Sequence, residues 1–328
     1  MEDRPHIPVM LEQAVRVLEP DSVQSARVYA DCTAGLGGHA AAVAARLPAG
    51  SSVVLNDLDR DNLRRAAARV RSAAPGVAVR EHHGSFAELP RWLDGQSLGV
   101  DLLLADLGFA SPQVDDPSRG LSFLRDGPLD MRFDRSAGRA TAAELVASLP
   151  EADLAQVLFE WGEERHSRAV ARGIVQARRR SPVETTGQLA EIVRQALRGK
   201  VPPREVTGVD PATKTFQALR IAVNDEIGSL LALLDSAEKA AAVAGSGRDS
   251  WLRPGATLCV ITFHSLEDRP VKQSFARLVK QGLASEVTPK GKPLPAGDEE
   301  VRLNPRSRSA KMRAVRLVEG SADRVAGG

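Results

Sequence analysis

The first 107 residues alternate short apolar, β-branched runs with segments of helical patterning, and this alternation constrains the fold more than any other feature. The runs predict strands at 27–32, 52–57, 77–83 and 100–107. Helical patterns lie between them, at 39–47 and 60–73. Strands that are apolar nearly throughout and are separated by helices indicate a parallel sheet covered on both faces. The sequence therefore predicts an α/β domain of Rossmann-like type.

The strand pattern stops after residue 107. Residues 109–210 combine a loop rich in Pro, Gly and Asp with helical patterns near 141–147, 151–160, 163–179 and 185–197. Because no convincing strand interrupts these patterns, we expect a helical insertion at the end of the fourth strand.

The last third of the chain returns to the α/β pattern. A helical pattern from Thr213 to Val243 is followed by a strand at 256–263 and a helix from Glu267 to Gln281. Two final strand-like runs, 285–289 and 312–319, indicate an antiparallel edge, which is typical of methyltransferase sheets rather than of dehydrogenases. We therefore expect a mostly parallel sheet domain formed by residues 1–108 and 211–328, with 109–210 inserted in it.

Composition narrows the class of protein. Hydrophobic residues make up 43% of the chain and charged residues 26%, as in globular proteins with a core. The two cysteines, Cys32 and Cys259, are far apart, which argues against a disulfide framework and against structural zinc. The N-terminus does not resemble a signal peptide, and no run is long and uncharged enough to span a bilayer. We expect a cytoplasmic protein that needs no metal.

Charge distribution is more informative than net charge. The formal net charge of +2 is too small to indicate nucleic-acid binding by itself. Basic residues nevertheless concentrate in two segments, 165–180 and 302–316. These segments are either solvated helix faces with internal salt bridges or surfaces that attract RNA phosphates. The tentative RNA-binding residues are Arg165, Arg168, Arg172, Arg306, Arg308 and Lys311.

A glycine-rich segment, DCTAGLGGHA (31–40), follows the first predicted strand. Glycines at a strand-to-helix turn let the backbone approach a nucleotide-like ligand closely. Gly35, Gly37 and Ala40 also fit the three small positions of the dinucleotide fingerprint, while His39 is expected to open the helix. This segment alone does not choose between NAD and S-adenosylmethionine.

Asp57 ends the second predicted strand, about twenty residues beyond the glycines, where a carboxylate can accept hydrogen bonds from ribose hydroxyls. The structural alternative is that Asp57 caps a helix, a role that Asp59 or Asp61 could fill equally well. After the third strand, Phe86 is either a ring that stacks on adenine or a core residue.

The loop after the fourth strand, DLGFASPQVDD (106–116), carries the residues closest to the reaction. Asp106 emerges at the carboxyl end of a parallel strand, where open α/β sheets bind ligands. Its spacing to Phe109 resembles the Asp-Pro-Pro-Tyr loop of amino-methylating enzymes, in which an acceptor holds an amine and an aromatic ring stacks on a base. Phe109 could equally be a packing residue. Gln113 is placed to contact the cofactor or the edge of the base.

Seven motifs together closely resemble the ribosomal RNA small subunit methyltransferase H family, also called MraW. They run from His6 to Arg313 in the order of the family: HIPVM, DCTAGLGGH, DLGFASPQVDDPSRGLSF with RDGPLDMRFD, WGEERHSR, TFQALRIAVNDE, ITFHSLEDR and NPRSRSAKMR. Family members usually have Ser where this chain has Ala40, and Val-Ser-Ser where it has Phe109-Ala110-Ser111. The second difference makes stacking by Phe109 a property of this sequence.

The resemblance implies a class I methyltransferase fold with a helical insertion that recognises RNA. It also implies that the chain methylates N4 of a cytidine in the decoding region of 16S rRNA. The partner is then 16S rRNA, either as free RNA or within the small ribosomal subunit. S-adenosylmethionine is then the cofactor and S-adenosylhomocysteine the product; a homodimer stays open. The cofactor residues carried over are Gly37, Gly38, His39, Asp57, Phe86, Asp106 and Gln113.

The segment FHSLEDR (263–269) allows two interpretations. Ser265 and Asp268 could form a capping box at the start of the following helix. Because the segment begins at the carboxyl end of a strand, His264 is also a second-rank catalytic candidate at the target pocket. Two other functions remain open, an NAD-dependent oxidoreductase and a non-catalytic RNA-binding assembly factor.

Overall fold

The computed structural model describes residues 8–19, 25–109, 111–201 and 208–319. The motif HIPVM begins at His6 and therefore lies partly outside the described residues. The chain forms two compact units, one comprising residues 1–108 and 227–328 and the other residues 109–226. Here they are called the sheet unit and the helical unit.

Within the described ranges, eight strands make up the sheet. They are β1 Val28–Asp31, β2 Ser52–Asp57, β3 Ala78–His83, β4 Val100–Asp106, β5 Leu252–Thr262, β6 Ala284–Glu286, β7 Leu294–Pro295 and β8 Lys311–Leu317. Their order is β3-β2-β1-β4-β5-β8-β6, and β7 pairs with β8. Strands β1 to β5 pair in parallel, whereas β8 runs antiparallel to β5 and β6. The predicted α/β fold with an antiparallel edge is confirmed.

Helices cover both faces of the sheet. In the sheet unit they span Leu11–Leu18, Gly38–Ala44, Arg60–Ala73, Leu89–Gly95, Ser265–Lys280 and Asp298–Leu303, and Glu226–Gly245 enters this unit from the helical one. Neighbouring strand residues contribute to different cores: Val28 and Ala30 join one cluster, and Tyr29 joins the other. This is the two-residue alternation of a strand that is buried on both sides.

The helical unit has a core of its own. Its helices span Ser111–Asp115, Ala142–Ser148, Glu151–Gly162, Ser167–Arg178, Thr186–Leu197 and Thr213–Asn224. The last of these contributes Phe216, Leu219 and Val223 to that core. The unit therefore extends to Glu226, beyond the predicted end of the insertion at residue 210.

The predicted single helix from Thr213 to Val243 is wrong, because the chain forms two helices that meet at Asp225. Asp225 is left-handed, with φ of 52°. The turn is fixed by Asn224, whose buried amide donates to the Met131 carbonyl and accepts from the Phe133 amide. The apolar periodicity continues across the break, so periodicity alone could not reveal it.

Candidate active site

The parallel strands bring the predicted site residues of the sheet unit, together with Asp31, to one edge. Asp31, Asp57 and Asp106 are the last residues of β1, β2 and β4, and His264 follows β5 by two residues. Because these strands are parallel neighbours, their carboxyl ends share one edge of the sheet, which is where open α/β sheets bind ligands.

The glycine loop crosses this edge between β1 and helix Gly38–Ala44. Gly37 is the N-cap of that helix and is left-handed, with φ of 74°. The Gly35 amide donates to Asp57 Oδ2 at 2.7 Å, so the loop is tied directly to the end of β2. His39 is buried in the first turn of the helix, and its Nε2 lies 2.9 Å from the Val9 carbonyl oxygen.

Replacing Gly37 with Ala is expected to destabilise the sheet unit. A Cβ at this position would meet Ala66 Cα at 2.6 Å, and the left-handed φ adds strain. Strain of about 1–2 kcal/mol and overpacking of about 1–3 kcal/mol should both lower the free energy of unfolding. Gly50→Ala is the matched control, because Gly50 has φ of 83° but its nearest neighbour would lie at 3.8 Å. Equal losses in urea unfolding of the two variants would contradict the close contact.

Asp57 is held by two backbone amides rather than serving as a helix cap. Oδ2 accepts from Gly35 and Oδ1 accepts from the Asp59 amide, both at 2.7 Å. The cap of helix Arg60–Ala73 is Asp59, which accepts from the amides of Asp61 and Asn62. Burial raises the pKa of Asp57 to about 6, although both backbone hydrogen bonds act in the opposite direction. A fixed, partly buried carboxylate with remaining acceptor capacity suits ribose hydroxyls.

Asp106 is a partly buried carboxylate with one buried oxygen that has no partner. Its Oδ1 is buried and has no hydrogen-bond partner, while Oδ2 lies 3.6 Å from His39 Nδ1. Burial raises the pKa of Asp106 well above its ordinary value, and the nearby acids Asp31, Glu267 and Glu300 raise it further. Burying an acceptor without a partner costs free energy, so such an atom is expected to meet a donor from a ligand.

The sequence analysis missed the residues that support Asp106. The Thr33 hydroxyl accepts from the Asp106 amide at 2.7 Å. Asp31 is buried, accepts from Tyr29 Oη at 3.1 Å and from the Thr33 amide, and has a pKa raised to about 7 by burial. Both residues lie in the glycine-loop motif, and the position of Asp31 at the end of a strand was the available signal.

His264 and Glu267 connect β5 to the helix behind it. Glu267 Oε2 accepts from the amides of Phe263 and His264, at 2.8 and 3.4 Å. His264 Nε2 lies 3.1 Å from Glu267 Oε1. The predicted capping box of Ser265 and Asp268 is therefore wrong by one residue. Since β5 ends at Thr262 and the helix begins at Ser265, His264 is the N-cap. Asp268 instead forms a bidentate ion pair with Arg313.

Phe86 and the two predicted residues of the helical unit differ in burial. Phe86 is partly buried and packs against one core cluster of the sheet unit. In the helical unit, Gln113 is buried, whereas Phe109 is 37% exposed. The Arg220 guanidinium carbon lies 4.7 Å from the centroid of the Phe109 ring. Phe109 is thus an exposed ring that pairs with the mostly buried guanidinium of Arg220, and it is not a fully packed core residue.

The two basic segments are exposed in different units. Arg165, Arg168 and Arg172 are exposed in the helical unit, at or near the start of helix Ser167–Arg178. Arg172 makes one exposed contact with Glu151, at 3.5 Å. Arg306, Arg308 and Lys311 are exposed in the sheet unit, in or beside a 3₁₀ turn that leads into β8.

Within the parts of the chain that the structure describes, no three His, Cys, Asp or Glu side chains are grouped to hold a metal ion. Over the same residues, no helix has the length and apolar character needed to cross a membrane.

The strand order, with one antiparallel strand inserted beside β5 and a glycine loop after β1, defines a class I methyltransferase fold. The MraW methylase family matches residues 3–318. This chain therefore belongs to the MraW methylase family.

Curated relatives share the sequence over nearly its whole length. The ribosomal RNA small subunit methyltransferase H of Sorangium cellulosum is 46% identical over 319 residues, which cover 96% of this chain and 92% of that protein. The protein of the same name from Acidobacterium capsulatum is 43% identical over 322 residues, covering 96% and 99%. The solved O-methyltransferase TomG from Streptomyces achromogenes, in complex with SAM, is 11% identical with a TM-score of 0.40 over 97% of this chain and 84% of that one.

Proposed function

We propose that this protein transfers a methyl group from S-adenosylmethionine to the exocyclic N4 of a cytidine in the decoding region of 16S rRNA. The observation that carries the proposal is the Oδ1 atom of Asp106, which is buried and lacks a partner at the carboxyl end of β4. The names of the relatives support the RNA substrate, since they are ribosomal RNA small subunit methyltransferases.

The residues at the sheet edge fit S-adenosylmethionine, which when bound supplies an electrophilic methyl group on a sulfonium. The turn that would approach the cofactor is formed by Gly37, Gly38 and His39. Asp57 would accept hydrogen bonds from the ribose hydroxyls. Phe86 would lie against the adenine, and Gln113 is a further residue that would hold the cofactor. The unpartnered Oδ1 of Asp106 fits a ligand N–H group.

The amine of cytosine is a weak nucleophile because its lone pair is delocalised into the ring. Asp106 holds this amine by accepting one N–H, which orients the nitrogen toward the methyl group, and then takes the proton. A raised pKa makes Asp106 a stronger base than an exposed aspartate. His264, which lies two residues beyond the end of β5, lines the target pocket, and Phe109 stacks on the base.

The cysteines favour an exocyclic nitrogen over a ring carbon as the methyl acceptor. Methylation at C5 of cytosine requires a thiolate that adds to C6 and activates the ring. Cys32 and Cys259 are both free and buried, and burial raises the pKa of each thiol. Neither thiol is therefore available as a thiolate nucleophile, since reactive cysteines have lowered pKa values and partial exposure.

RNA is bound by the helical unit and by both exposed basic segments. These cations neutralise phosphates without reading the sequence, and the target cytidine leaves its stack to reach the methyl donor. The protein acts in the cytoplasm on 16S rRNA, with the small ribosomal subunit as the setting in which the cytidine is presented.

Removing two arginines of the 302–316 segment should weaken RNA binding and make the affinity less dependent on salt concentration. For Arg306→Ala combined with Arg308→Ala, we expect the slope of log affinity against log salt concentration to fall by about 2. Arg64→Ala combined with Arg16→Ala is the control, because these exposed arginines lie outside both segments. Filter binding of 16S rRNA fragments over a salt series measures the slope. An unchanged slope would remove the 302–316 segment from the interface.

The affinity for S-adenosylmethionine should fall in acid. Asp57 has a pKa of about 6 and accepts hydrogen bonds best when ionised. Affinity should therefore be constant above pH 7 and weaken below pH 6, by at most about tenfold per pH unit. Calorimetry from pH 5 to pH 8 checks this, with Asp57→Asn as the control for other titrating groups. The same pH profile in both proteins would contradict the role of Asp57.

The direct test uses small ribosomal subunits from cells that lack this methyl group. With labelled S-adenosylmethionine, wild-type protein should transfer label to these subunits and not to subunits that already carry the mark. Absence of transfer to both kinds of subunit would reject the proposal. Binding of NAD in place of S-adenosylmethionine would favour the oxidoreductase alternative. Activity in ribosome assembly that survives Asp106→Ala would favour a non-catalytic factor.

A further inference from the structure

A cavity of about 390 Å³ opens in the helical unit. Its wall includes Phe109, Phe123, Phe216, Gln217 and Arg220, all of which belong to this unit. The volume lies in the range of small-molecule sites, which is about 300–1,000 Å³. The sequence analysis found Phe109 but not this cavity.

The aromatic residues of the cavity are combined with guanidinium groups. Phe123 and Phe216 meet edge to face, with ring centroids 4.6 Å apart. Arg220 covers the Phe109 ring at 4.7 Å, and the Arg194 guanidinium lies 5.8 Å from the centroid of Phe123. Aromatic rings and guanidinium planes are the two surfaces on which proteins stack unpaired nucleobases.

Both guanidinium groups are held in place by acids. Arg220 contacts the two oxygens of Glu226 at 2.8 and 3.0 Å, and Arg194 forms a 2.8 Å bond with Asp210. These pairs fix the planes and compensate the negative charge of Asp210 in the cavity wall. Such a wall does not repel an anionic polymer as a bare carboxylate would.

Polar groups at the cavity suit the edge of a base. The Gln217 side-chain amide donates to the Trp161 carbonyl at 3.2 Å, which orients its oxygen as an acceptor. Ser122 adds a hydroxyl to the wall. At the same cavity, Leu124 is 73% exposed and Val209 is 57% exposed, so apolar surface faces water. A ligand with an apolar face and polar edges would cover the exposed apolar surface and pair with the polar groups.

We propose that this cavity binds an unstacked nucleobase of single-stranded RNA. The inference rests on the proposed function only in taking RNA as the substrate. The base lies against the aromatic wall, its edge meets Gln217 and Ser122, and the exposed Arg125, next in sequence to Leu124, contacts the adjacent phosphate. Stacking of this kind tolerates different bases, so it adds affinity and fixes the position of the strand.

The test measures binding of the intact protein to a short single-stranded RNA that contains the fluorescent base pyrrolocytidine. Wild-type protein should quench the fluorescence by stacking. Phe123→Ala should weaken binding by roughly 5-fold to 100-fold and abolish the quench. Phe159→Ala is the matched control, because Phe159 is 61% exposed on helix Glu151–Gly162 and does not line the cavity. It should bind and quench like the wild type.

Phe123→Leu covers the case in which Phe123→Ala does not fold, since leucine keeps the apolar packing but has no ring to stack. It should also lose the quench, with a melting temperature near that of the wild type. Methyl transfer to small subunits is measured in parallel. If the Phe123 variants still quench like the wild type while the protein transfers methyl groups, the cavity does not bind the base, and the proposed function is unaffected. Quenching that depends on Phe123, without any transfer, supports the cavity and rejects the proposed function.

Discussion

The variant Asp106→Asn is expected to lose methyl transfer almost completely while keeping its fold. Asparagine occupies the same volume but cannot take a proton, and its side-chain nitrogen is a donor that opposes an incoming amine. Proton transfer by a positioned side chain accelerates a reaction by roughly 100-fold to 10,000-fold, so kcat should decrease by a factor in that range. Single-turnover transfer of labelled methyl groups to small subunits measures the loss.

The stability of the same variant separates a chemical role from a structural one. Burial and the neighbouring acids Asp31, Glu267 and Glu300 raise the pKa of Asp106. A carboxyl group with a raised folded-state pKa destabilises the fold as pH rises from its unfolded pKa through its folded one. Removing this charge should leave the melting temperature at pH 7 unchanged or higher. Asp94→Asn, at an exposed position of helix Leu89–Gly95, should change neither property. Unchanged kcat in Asp106→Asn would remove Asp106 from the chemistry.

The second large effect is expected at Asp57 and is measured as the affinity for the cofactor. In Asp57→Asn, one charged acceptor is replaced by a neutral amide that can offer only one oxygen. Hydrogen bonds to charged groups contribute about 1.5–3 kcal/mol, which corresponds to affinity roughly 10-fold to 100-fold weaker. Calorimetric titration with S-adenosylmethionine at pH 8 measures the change.

A matched aspartate nearby provides the control for Asp57. Asp61 lies in the first turn of the helix that follows β2, is exposed and contacts Arg64. Asp61→Asn should bind S-adenosylmethionine like the wild type. Equal affinities of Asp57→Asn and the wild type would show that the carboxylate at the end of β2 does not hold the ribose.

The strands were the most predictable part of the fold, because their residues are buried by the sheet whatever else the chain does. β2 covers Ser52–Asp57, as predicted from its apolar run. Helix ends were less predictable because they depend on contacts from distant residues. The break at Asp225 depends on Asn224 bonding to Met131 and Phe133, which lie in another segment of the helical unit.

The site was predictable where a single motif carries the geometry. The turn at Gly37, the position of Asp57 and the position of Asp106 all follow from strands that end in glycines or acids. The support of Asp106 by Thr33 and the nearby acids was not predictable, since β1 and β4 are neighbours only after the sheet has formed. The cavity around Phe123 and Phe216 was not predictable either, because the sequence alone does not distinguish a phenylalanine that lines a cavity from one in the core.

The measurement closest to the central claim identifies the methylated atom. Small subunits lacking the mark are incubated with the protein and isotopically labelled S-adenosylmethionine, and their 16S rRNA is digested to nucleosides for mass spectrometry. The account predicts that label appears in N4-methylcytidine from the decoding region and disappears with Asp106→Asn. Label in C5-methylcytidine would contradict this account. Labelling of any nucleoside by Asp106→Asn at the rate of the wild type would contradict it as well.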